Sequence, residues 1–385
     1  MRKLTIVFFI FFIFISIQLY TQTWSSTKRL TWTAGASEVY SIAVDGSGGI
    51  HVAWQDYTPG NNDVFYKRST NGGVSWLGSA RLTWTASESE YPCIAADNNN
   101  RIYVAWNDNP WGNIEVFYKC STDSGATWSG LNRLTWNTGH SLAPCMTTDA
   151  QNRLHVVWVD TTPGNYEIFY KRTASDGGSW YGLKRLTWNS DWSITPSIAA
   201  DSNNGIHVVW QNEINGNREI LYKRSTDSGT TWSPITRFTW NSGKSGYPCV
   251  VTYHTNNVYV VWADDSPGNS EIFYKCSTDG GVTWSAPIRM TWNSGYSDAP
   301  TIAVGTDLRI HVMWSDTTPG NKEIFYKWSY GIGSPWSQIT RLTWNGGESK
   351  LPSIAVDNSL AIHVVWSDDY ETTPDYYEIY YKNRK

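Results

Sequence analysis

The tetrapeptide Arg-Leu-Thr-Trp at residues 29–32 decides the fold, because it returns at intervals of 52 residues along the chain. The six later copies, two of them with Phe or Met in place of Leu, begin at Arg81, Arg133, Arg185, Arg237, Arg289 and Arg341. Two further tryptophan series keep the same interval, one from Trp54 to Trp366 and one from Trp24 to Trp336. Self-similarity at a fixed period of this size indicates a repeat architecture.

Each repeat contains four short segments typical of β-strands, which we label a to d. In the third repeat, strands a, b and c are predicted at residues 144–148, 154–158 and 167–171, and strand d ends at Trp188. β-Branched and aromatic residues fill these segments, and turn residues such as Pro163-Gly164 separate them. The sequence shows no helical period, so it predicts an all-β protein.

Seven four-stranded units predict a seven-bladed β-propeller, in which neighbouring sheets bury the faces that one sheet cannot bury alone. The last repeat stops at residues 380–382, after its third strand, whereas residues 24–32 form an extra strand d before the first complete repeat. We therefore expect the N-terminal strand to complete the last blade and to cover its open edge. Residues 24–385 would then form a single domain.

Residues 1–23 have the features of a secretory signal peptide. Met1-Arg2-Lys3 is positively charged, and residues 4–17 are almost entirely apolar. An uncleaved membrane anchor is the alternative, since the apolar run to Tyr20 approaches the length that spans a bilayer. Either interpretation places the rest of the chain outside the cytoplasm, secreted or at the cell surface, with no other membrane span.

Composition narrows the possible partners and ligands. The 385-residue chain has a formal net charge of −4 and no basic run, which argues against a nucleic-acid partner. Three periodic series of seven residues account for 21 of the 24 tryptophans, which favours packing over binding as the role of the aromatic excess.

The five cysteines leave two interpretations open. Cys93 with Cys120, and Cys249 with Cys276, could form bridges within a repeat in an oxidising compartment. Each pair lies on strands a and c, however, which strand b should separate, and this favours free thiols. No C-x-x-C spacing is present, and we predict no metal site or cofactor on this basis.

The turn between strands c and d carries the pattern Ser-x-Asp-x-Gly-x-x-Trp. Intact copies contain Asp123 with Trp128, Asp227 with Trp232, and Asp279 with Trp284. The degenerate copies carry Asn71, Ser175 and Gly331 in the Asp place. The pattern resembles the Asp box of the BNR, sialidase-like β-propeller family, and the resemblance extends over essentially all of the mature chain. It implies that these Asp and Trp residues are structural and lie away from the active face.

The resemblance also raises the hypothesis of a sialidase-like exo-glycosidase. Such enzymes bind the substrate carboxylate with three arginines and use a Tyr–Glu nucleophile pair and an Asp acid/base. The Phe/Tyr-Arg-Ile-Pro motif that usually marks the first arginine is missing, and the repeated arginines are predicted on outer strands, where they should not converge. Departures from the repeat, such as Trp111, residues 212–215, Tyr253-His254 and an insertion near residues 370–374, are scattered. We therefore assign no catalytic residues.

A ligand is expected on the face that the b–c and d–a loops share. The d–a loop contains a serine in every repeat, from Ser37 to Ser349, while the residues around it vary. Two explanations are open. Exposed positions without a function can vary freely in sequence, or the positions form a recognition face whose contacts differ from blade to blade. For such a face the candidate ligand-binding residues are Trp111, His140, Trp192 and Tyr296, because sugars stack on aromatic side chains.

Two other periodic sets could suggest metal ligands, but we favour structural roles for both. Five histidines share one position in strand b with Tyr103 and Tyr259, which indicates packing between blades: His51, His155, His207, His311 and His363. Six aspartates begin the b–c loops, where their spacing does not match a twelve-residue calcium loop and turn capping is favoured: Asp56, Asp108, Asp160, Asp264, Asp316 and Asp368.

The sequence thus predicts a secreted, monomeric, non-catalytic protein that binds a glycan or a cell-surface or matrix protein. Seven similar sites would give avidity without high affinity at each site. The sialidase-like exo-glycosidase is the alternative function, and a surface scaffold without a ligand is a third hypothesis.

Overall fold

The computed structural model describes residues 23–174, 178–369 and 376–385, whose strands form seven antiparallel sheets with the order a-b-c-d. Adjacent sheets contact each other through their a strands, which therefore surround a central axis, while the d strands lie at the outer rim. The chain is a seven-bladed β-propeller, as predicted. The predicted signal peptide, apart from its last residue, and the insertion near residues 370–374 lie outside the described residues.

The strands are numbered in chain order, and each blade takes one of each kind. Strands a are β2 (Ser37–Val44), β6 (Glu90–Ala96), β10 (Ser141–Thr148), β14 (Ser193–Ala200), β18 (Ser245–Tyr253), β22 (Ser297–Val304) and β26 (Ser349–Val356). Strands b are β3 (Ile50–Asp56), β7 (Ile102–Asp108), β11 (Leu154–Asp160), β15 (Ile206–Ile214), β19 (Asn257–Asp264), β23 (Ile310–Asp316) and β27 (Ile362–Asp368). Strands c are β4 (Asp63–Ser69), β8 (Glu115–Ser121), β12 (Glu167–Arg172), β16 (Asn217–Ser225), β20 (Glu271–Ser277), β24 (Glu323–Ser329) and β28 (Glu378–Arg384). Strands d are β5 (Ala80–Arg81), β9 (Asn132–Arg133), β13 (Lys184–Arg185), β17 (Thr236–Arg237), β21 (Ile288–Arg289), β25 (Thr340–Arg341) and β1 (Lys28–Arg29).

The two ends of the chain meet in the seventh blade. Strand β1 pairs with β28, with Lys28 opposite Tyr381 and Arg29 opposite Tyr380. Trp24 forms a further bridge with Arg384. These pairs confirm that residues 24–32 complete the last blade. Among the described residues, no helix is long and apolar enough to cross a bilayer.

The hydrophobic cores lie between the blades. Seven clusters of buried side chains occur, and each joins the strands of two adjacent sheets. Between the seventh and first blades, for example, Leu30 and Ile379 pack with Val39 and Trp54. Burial of one such side chain contributes roughly 1.5–3 kcal/mol, so closing the ring gains a complete additional core.

Strand a is longer than predicted because it continues past a β-bulge. In the third blade it begins at Ser141 rather than at residue 144, and the bulge lies between Leu142 and Cys145. Six blades place a non-glycine residue with positive φ at this bulge, directly before a proline: Tyr91, Ala143, Thr195, Tyr247, Ala299 and Leu351. The first blade has Val39-Tyr40 at this point, and neither residue has a positive φ.

Strand d is shorter than predicted. In the third blade only Lys184–Arg185 pairs with strand c. The next two residues continue the contact with strand c through one backbone and one side-chain hydrogen bond. The Leu186 amide donates to the Ile168 carbonyl, and the Thr187 hydroxyl accepts from the Ile168 amide. The side chain of Thr187 therefore takes the place of a backbone acceptor, and the strand ends there.

All five cysteines are free thiols. In the second blade Cys93 lies on β6 and Cys120 on β8, and β7 separates them. The structure thus confirms the interpretation that strand b keeps the two cysteines of a repeat apart. Burial raises the pKa of the Cys145 thiol to about 11, which keeps it protonated at neutral pH.

Candidate functional site

Tryptophan occupies opposite environments in two of the periodic series. The strand-b series from Trp54 to Trp366 is at most 1% exposed. The series that ends the Arg-Leu-Thr-Trp motif is 65–74% exposed, and we name its members the rim tryptophans: Trp32, Trp84, Trp136, Trp188, Trp240, Trp292 and Trp344. The expectation that the aromatic excess serves packing is therefore wrong for this series.

The motif folds so that only its last residue faces solvent. Leu30 enters the core between two blades, and Thr31 is buried with its hydroxyl accepting the Ile379 amide at 2.8 Å. Trp32 follows at the beginning of the d–a loop, beyond the last strand contact. The rim tryptophans therefore stand at the outer edge of the face that carries the b–c and d–a loops.

Each rim tryptophan lies beside an arginine that a buried carboxylate holds in place. In the sixth blade Arg341 Nη2 is 2.8 Å from Glu323 Oε1, and the guanidinium carbon lies 5.9 Å from the centre of the Trp344 ring. The same ion pair recurs in all seven blades at 2.6–2.9 Å, with Asp63 as the carboxylate in the first. Because the carboxylate is buried and the arginine only partly so, the pair fixes a guanidinium at the surface.

A lysine from strand c of the following blade also approaches the rim tryptophan. Lys382 Nζ lies 5.6 Å from the centre of the Trp344 ring and donates a 2.7 Å hydrogen bond to the Leu342 carbonyl of the preceding blade. Such a contact occurs at six rim tryptophans, whereas Lys275 lies over Phe238 instead. Burial lowers the pKa of all seven lysines. An ammonium that donates one bond keeps two protons for a further acceptor.

Between the sixth and seventh blades these side chains line an open groove of about 460 Å³, which is within the size range of small-molecule sites. We name it the closure groove. Its polar and aromatic lining comes from Thr343, Trp344 and Asn345 of the sixth blade and from Thr27, Arg29, Trp32, Trp366, Asp368, Tyr380 and Lys382 of the seventh.

The aspartates that begin the b–c loops cap the loops, as the sequence predicted. Asp160 Oδ2 accepts hydrogen bonds of 2.7–3.0 Å from Trp158 Nε1, Ser141 Oγ and Asn137 Nδ2. Ser141 and its six counterparts are completely buried. These serines are therefore part of the loop framework and are not accessible to a ligand. Among the described residues, no group of three or more potential metal ligands is present.

Two of the four candidate ligand-binding residues, Trp111 and His140, contact residues of the second blade. Trp111 is 65% exposed, and its ring centre is 5.0 Å from the guanidinium carbon of Arg133, which is 5.8 Å from the ring of Trp136. Exposed His140 accepts a hydrogen bond at Nδ1 from the Ile114 amide of the neighbouring b–c loop, at 3.3 Å. Trp111 thus adds a second exposed indole to one rim arginine.

The other two candidates contact different blades. Trp192 is about half exposed and packs edge-to-face on Tyr166, with 5.4 Å between ring centres. Tyr296 is exposed, and its amide donates to the Thr317 hydroxyl. The contacts of the four candidates fall in three separate connections between blades, so we expect no single small ligand to contact all four.

The Asp boxes lie on the opposite face, together with the a–b turns. Asp123 accepts hydrogen bonds from the amide and hydroxyl of Thr127 and from the Ser121 hydroxyl, and these bonds lower the pKa of its carboxyl. Trp128 packs edge-to-face on Tyr66 of the preceding blade, with 4.8 Å between ring centres. The boxes of Asp227 with Trp232 and of Asp279 with Trp284 make equivalent contacts.

Each strand-b histidine hydrogen-bonds to a buried tyrosine of strand c, and in the third blade this chain continues to an Asp box. His155 lies between Asp149, 3.0 Å from Nε2, and the Tyr170 hydroxyl, 2.7 Å from Nδ1. The same hydroxyl donates to the Ser228 carbonyl in the Asp box of the next blade. A Cβ on Gly229 would lie 1.9 Å from that hydroxyl, so only glycine fits there. The histidine therefore contributes to the contact between blades, as its period indicated.

Sequence analysis missed a polar cluster at the central axis. The Tyr40 hydroxyl donates to Glu38 Oε2 at 3.1 Å, and Lys350 Nζ is 2.8 Å from Glu38 Oε1. The ring of Tyr91 lies 5.3 Å from that of Tyr40, and Glu90 directly precedes Tyr91. We name these five residues the axial cluster. One signal could have revealed it, since Tyr40 replaces the proline that follows the bulge in the other six blades.

The arginines do not converge on this cluster. Those of the repeated motif pair with seven separate carboxylates at the rim. Arg101, Arg153 and Arg309 form ion pairs in a–b turns on the opposite face. Arg218 is exposed on β16. Within the described part of the chain, the three-arginine arrangement of a sialidase site is therefore not formed.

Comparison with known proteins identifies one family and several related folds. A family model described as a BNR repeat-containing family member matches residues 20–233. No curated protein matches the chain in sequence.

Three solved structures illustrate the likeness in fold. An ulvan lyase, a polysaccharide lyase bound to -[GlcA(1-4)Rha3S]-, has a TM-score of 0.66 at 9% identity over 91% of this chain and 95% of its own. A protein of unknown function from Dyadobacter fermentans has a TM-score of 0.57 at 14% identity, over 78% and 95% of the two chains. A Hadza microbial sialidase has a TM-score of 0.53 at 13% identity, over 87% and 73%. At these identities the likeness shows the fold alone.

Proposed function

Because the chain belongs to the family of BNR repeat-containing proteins, we propose that it is a secreted, non-catalytic propeller that binds carbohydrate. The observation that carries the proposal is the ring of seven exposed rim tryptophans. The lyase and the sialidase with this fold act on sugars according to their names, which supports the same ligand class here.

An exposed indole beside fixed N–H donors suits a sugar. The C–H face of a pyranose packs on an aromatic ring, while its hydroxyl groups need hydrogen-bond partners around the edge. Next to Trp344, Arg341 and Lys382 supply such donors. Soluble monomers rarely leave many large apolar side chains in water in one arrangement, and such surfaces mark binding sites.

The sevenfold repetition favours a polymeric or clustered glycan as the ligand. Every rim tryptophan has the motif arginine beside it, and six of the seven also have a lysine, so we expect seven similar sites of modest affinity. When one groove is occupied, a second sugar on the same chain binds at a high effective concentration. Avidity then replaces high affinity at a single site.

A glycan array with the purified protein tests the proposal. We expect binding to several related glycans and a loss of signal of at least tenfold when Trp136, Trp240 and Trp344 are all replaced by Ala. Tyr330→Ala is the control, since Tyr330 is also an exposed aromatic residue but lies in a c–d turn on the opposite face. An array without signal, or an equal loss in the control, would refute carbohydrate binding at the rim.

Secretion is a separate part of the proposal. Residues 1–23 carry the charge and hydropathy of a signal peptide. N-terminal sequencing of protein recovered from the medium should give a chain that begins near Trp24. A protein retained in membranes with an intact Met1 would support the anchor interpretation instead.

The sialidase-like exo-glycosidase is the second candidate, and the pair of Tyr40 and Glu38 at the axis favours it. Burial, together with the charge of Glu38, raises the pKa of Tyr40, however. A phenol held in its neutral form is a poor nucleophile, which is why we place binding first. Release of fluorophore from an aryl sialoside that is abolished by Tyr40→Phe and Glu38→Gln would establish the enzyme.

A further inference from the structure

In the second blade, two exposed tryptophans lie beside one arginine. Trp111 in the b–c loop and Trp136 at the start of the d–a loop are both about two-thirds exposed. The guanidinium carbon of Arg133 lies 5.0 Å from the centre of the Trp111 ring and 5.8 Å from that of Trp136. All 24 tryptophans lie within the described residues, and the other six motif arginines each have one indole at such a distance. We name Trp111, Arg133 and Trp136 the double-indole site.

The additional indole results from one change in the b–c loop. Trp111 stands where four other blades have the proline of a Pro-Gly turn, namely Pro59, Pro163, Pro267 and Pro319. Gly112 has the positive φ of the glycine in those turns, and its amide still donates to the Asn109 carbonyl. The change therefore adds an aromatic side chain to a loop framework that the other blades share.

Trp111 is held in position by the protein itself. Its ring packs on that of the buried Phe117, with 5.6 Å between ring centres. In the same loop, Asn113 Nδ2 donates hydrogen bonds of 2.9 and 2.7 Å to the carbonyls of Asn137 and Gly139 in the neighbouring d–a loop. The two loops that carry the indoles are thus fixed relative to each other, which reduces the entropic cost of binding a ligand to both.

Arg133 is fixed as well and keeps one nitrogen for a ligand. Its Nε donates to the Thr135 carbonyl at 2.6 Å, and its Nη2 donates to Glu115 Oε1 at 2.7 Å. Nη1 makes no hydrogen bond within the described part of the chain, so it is available to a hydroxyl or carboxylate of a sugar. Because the guanidinium lies over both rings, a single sugar does not fit between them. A ligand that contacts both indoles needs at least two sugar units.

Two other blades have a further exposed aromatic residue but a different arrangement. Trp192 and Tyr296 are exposed in the d–a loops that follow the third and fifth blades. The motif arginines of these blades, Arg185 and Arg289, lie over their rim tryptophans and, among the described residues, over no second aromatic ring. The double-indole site thus differs from them by an additional ring that contacts the motif arginine.

We infer, on the basis of the proposed function, that the double-indole site is the primary glycan site of the rim and binds an oligosaccharide of at least two sugar units, one on each indole. The other six rim tryptophans then serve as secondary sites for single sugars. Each sugar that packs on an indole adds its own favourable contact, so a monosaccharide gains only one of the two. A polymer bound at the primary site reaches the secondary sites at a high effective concentration.

Isothermal titration calorimetry of the purified chain tests the inference through the length of the ligand. The probes are the mono-, di- and trisaccharides of three series: glucose with cellobiose and cellotriose, N-acetylglucosamine with its chito-oligosaccharides, and galacturonic acid with its oligomers. In at least one series we expect the disaccharide to bind at one site per chain at least tenfold more tightly than the monosaccharide.

Three variants locate that site. Trp111→Ala should reduce the gain from mono- to disaccharide to less than about threefold, since one indole contact is lost. Pro110→Thr combined with Trp111→Pro should do the same, and it should fold, because it gives this loop the Thr-Pro-Gly sequence of the third and sixth blades. Tyr57→Ala is the control and should keep the gain, since Tyr57 is an exposed aromatic residue in the b–c loop of the first blade, on the same face.

Other results would overturn the inference. Equal affinities for mono- and disaccharides in every series, or a gain that survives both Trp111 variants, would refute a primary site at Trp111 but leave carbohydrate binding at the rim in place. A gain that is also lost in Tyr57→Ala would refute its location in the second blade. If none of the probes binds while the glycan array shows binding, this inference fails and the proposed function stands. If both experiments are blank, both fail.

Discussion

Trp314 and Trp344 lie 30 residues apart in the same blade, and each belongs to a series with the same regular interval. Trp314 is completely buried, stacks on Phe325 and directs its indole nitrogen to Asp316. Trp344 is two-thirds exposed and has cationic neighbours on two blades. The period of a residue thus reports that its position is used in every blade, but it does not report whether the use is packing or contact with a ligand.

The largest expected effect is on the buried series. Trp314→Ala removes a large side chain from a core between two blades and should lower the free energy of unfolding by about 3–5 kcal/mol. Urea denaturation measures the change, with Trp314→Phe as a control that should lose less. A loss below about 1 kcal/mol would mean that this series does not carry the packing assigned to it.

The second effect tests what holds the exposed series in place. Arg341→Met leaves the buried carboxylate of Glu323 without its cation and should cost about 3 kcal/mol of stability. Arg341→Lys keeps the charge and should cost less. The two variants would be compared by urea denaturation at neutral pH. Equal stability of the Met and Lys variants would show that the ion pair with Glu323 does not stabilise this part of the rim.

The third effect concerns pH and the strand that carries Trp314. Burial, reinforced by Arg309 and Arg384, lowers the pKa of His311 to about 3. The unfolded chain therefore binds a proton below about pH 6.5 that the folded chain does not, so stability should fall as the pH falls from about 6.5 to 4. The slope for one such group is about 1.4 kcal/mol per pH unit.

A natural replacement supplies the control for this pH dependence. Tyrosine occupies the position of His311 in the second and fifth blades, as Tyr103 and Tyr259. His311→Tyr should therefore fold, and the number of protons taken up on unfolding between pH 4 and 6.5 should fall by close to one. An unchanged pH dependence of urea denaturation would show that His311 is already protonated in the folded protein.

The smallest effect on stability is expected for the exposed series. Trp344→Ala should change the free energy of unfolding by less than about 0.5 kcal/mol, because most of this side chain is already in water and little buried surface is removed. The same variant should lose sugar binding in its own groove, which a titration would detect as a reduced number of sites. A destabilisation close to that of Trp314→Ala would contradict the assignment of packing to the buried tryptophans and of ligand contact to the rim tryptophans.

Sequence alone predicted the strands, the turns and the closure of the ring, because these follow from local periodicity and turn residues. It did not predict the exposure of the rim tryptophans. Leu30 and Thr31 are consecutive and both buried, so the alternation of a regular strand does not apply, and Trp32 falls beyond the strand. Only the contacts of the Thr31 hydroxyl explain why the motif turns outward there.

The axial cluster was missed for a different reason. Glu38 and Lys350 are 312 residues apart and meet only because the ring closes between the first and seventh blades. Each appears in the sequence as one more variable residue after a serine. Their ion pair depends on which blades become neighbours, and this is a property of the whole ring rather than of any single repeat.

The shared seventh blade has a consequence for how such a protein can change size. The first and last segments of the domain complete one sheet. A gene that gains or loses an internal unit of 52 residues therefore still encodes both segments that pair in this shared blade. The pairing between β1 and β28 needs no new residues when the number of units changes. The wedge angle between neighbouring sheets, rather than the joining of the termini, then limits how many units a circle can hold.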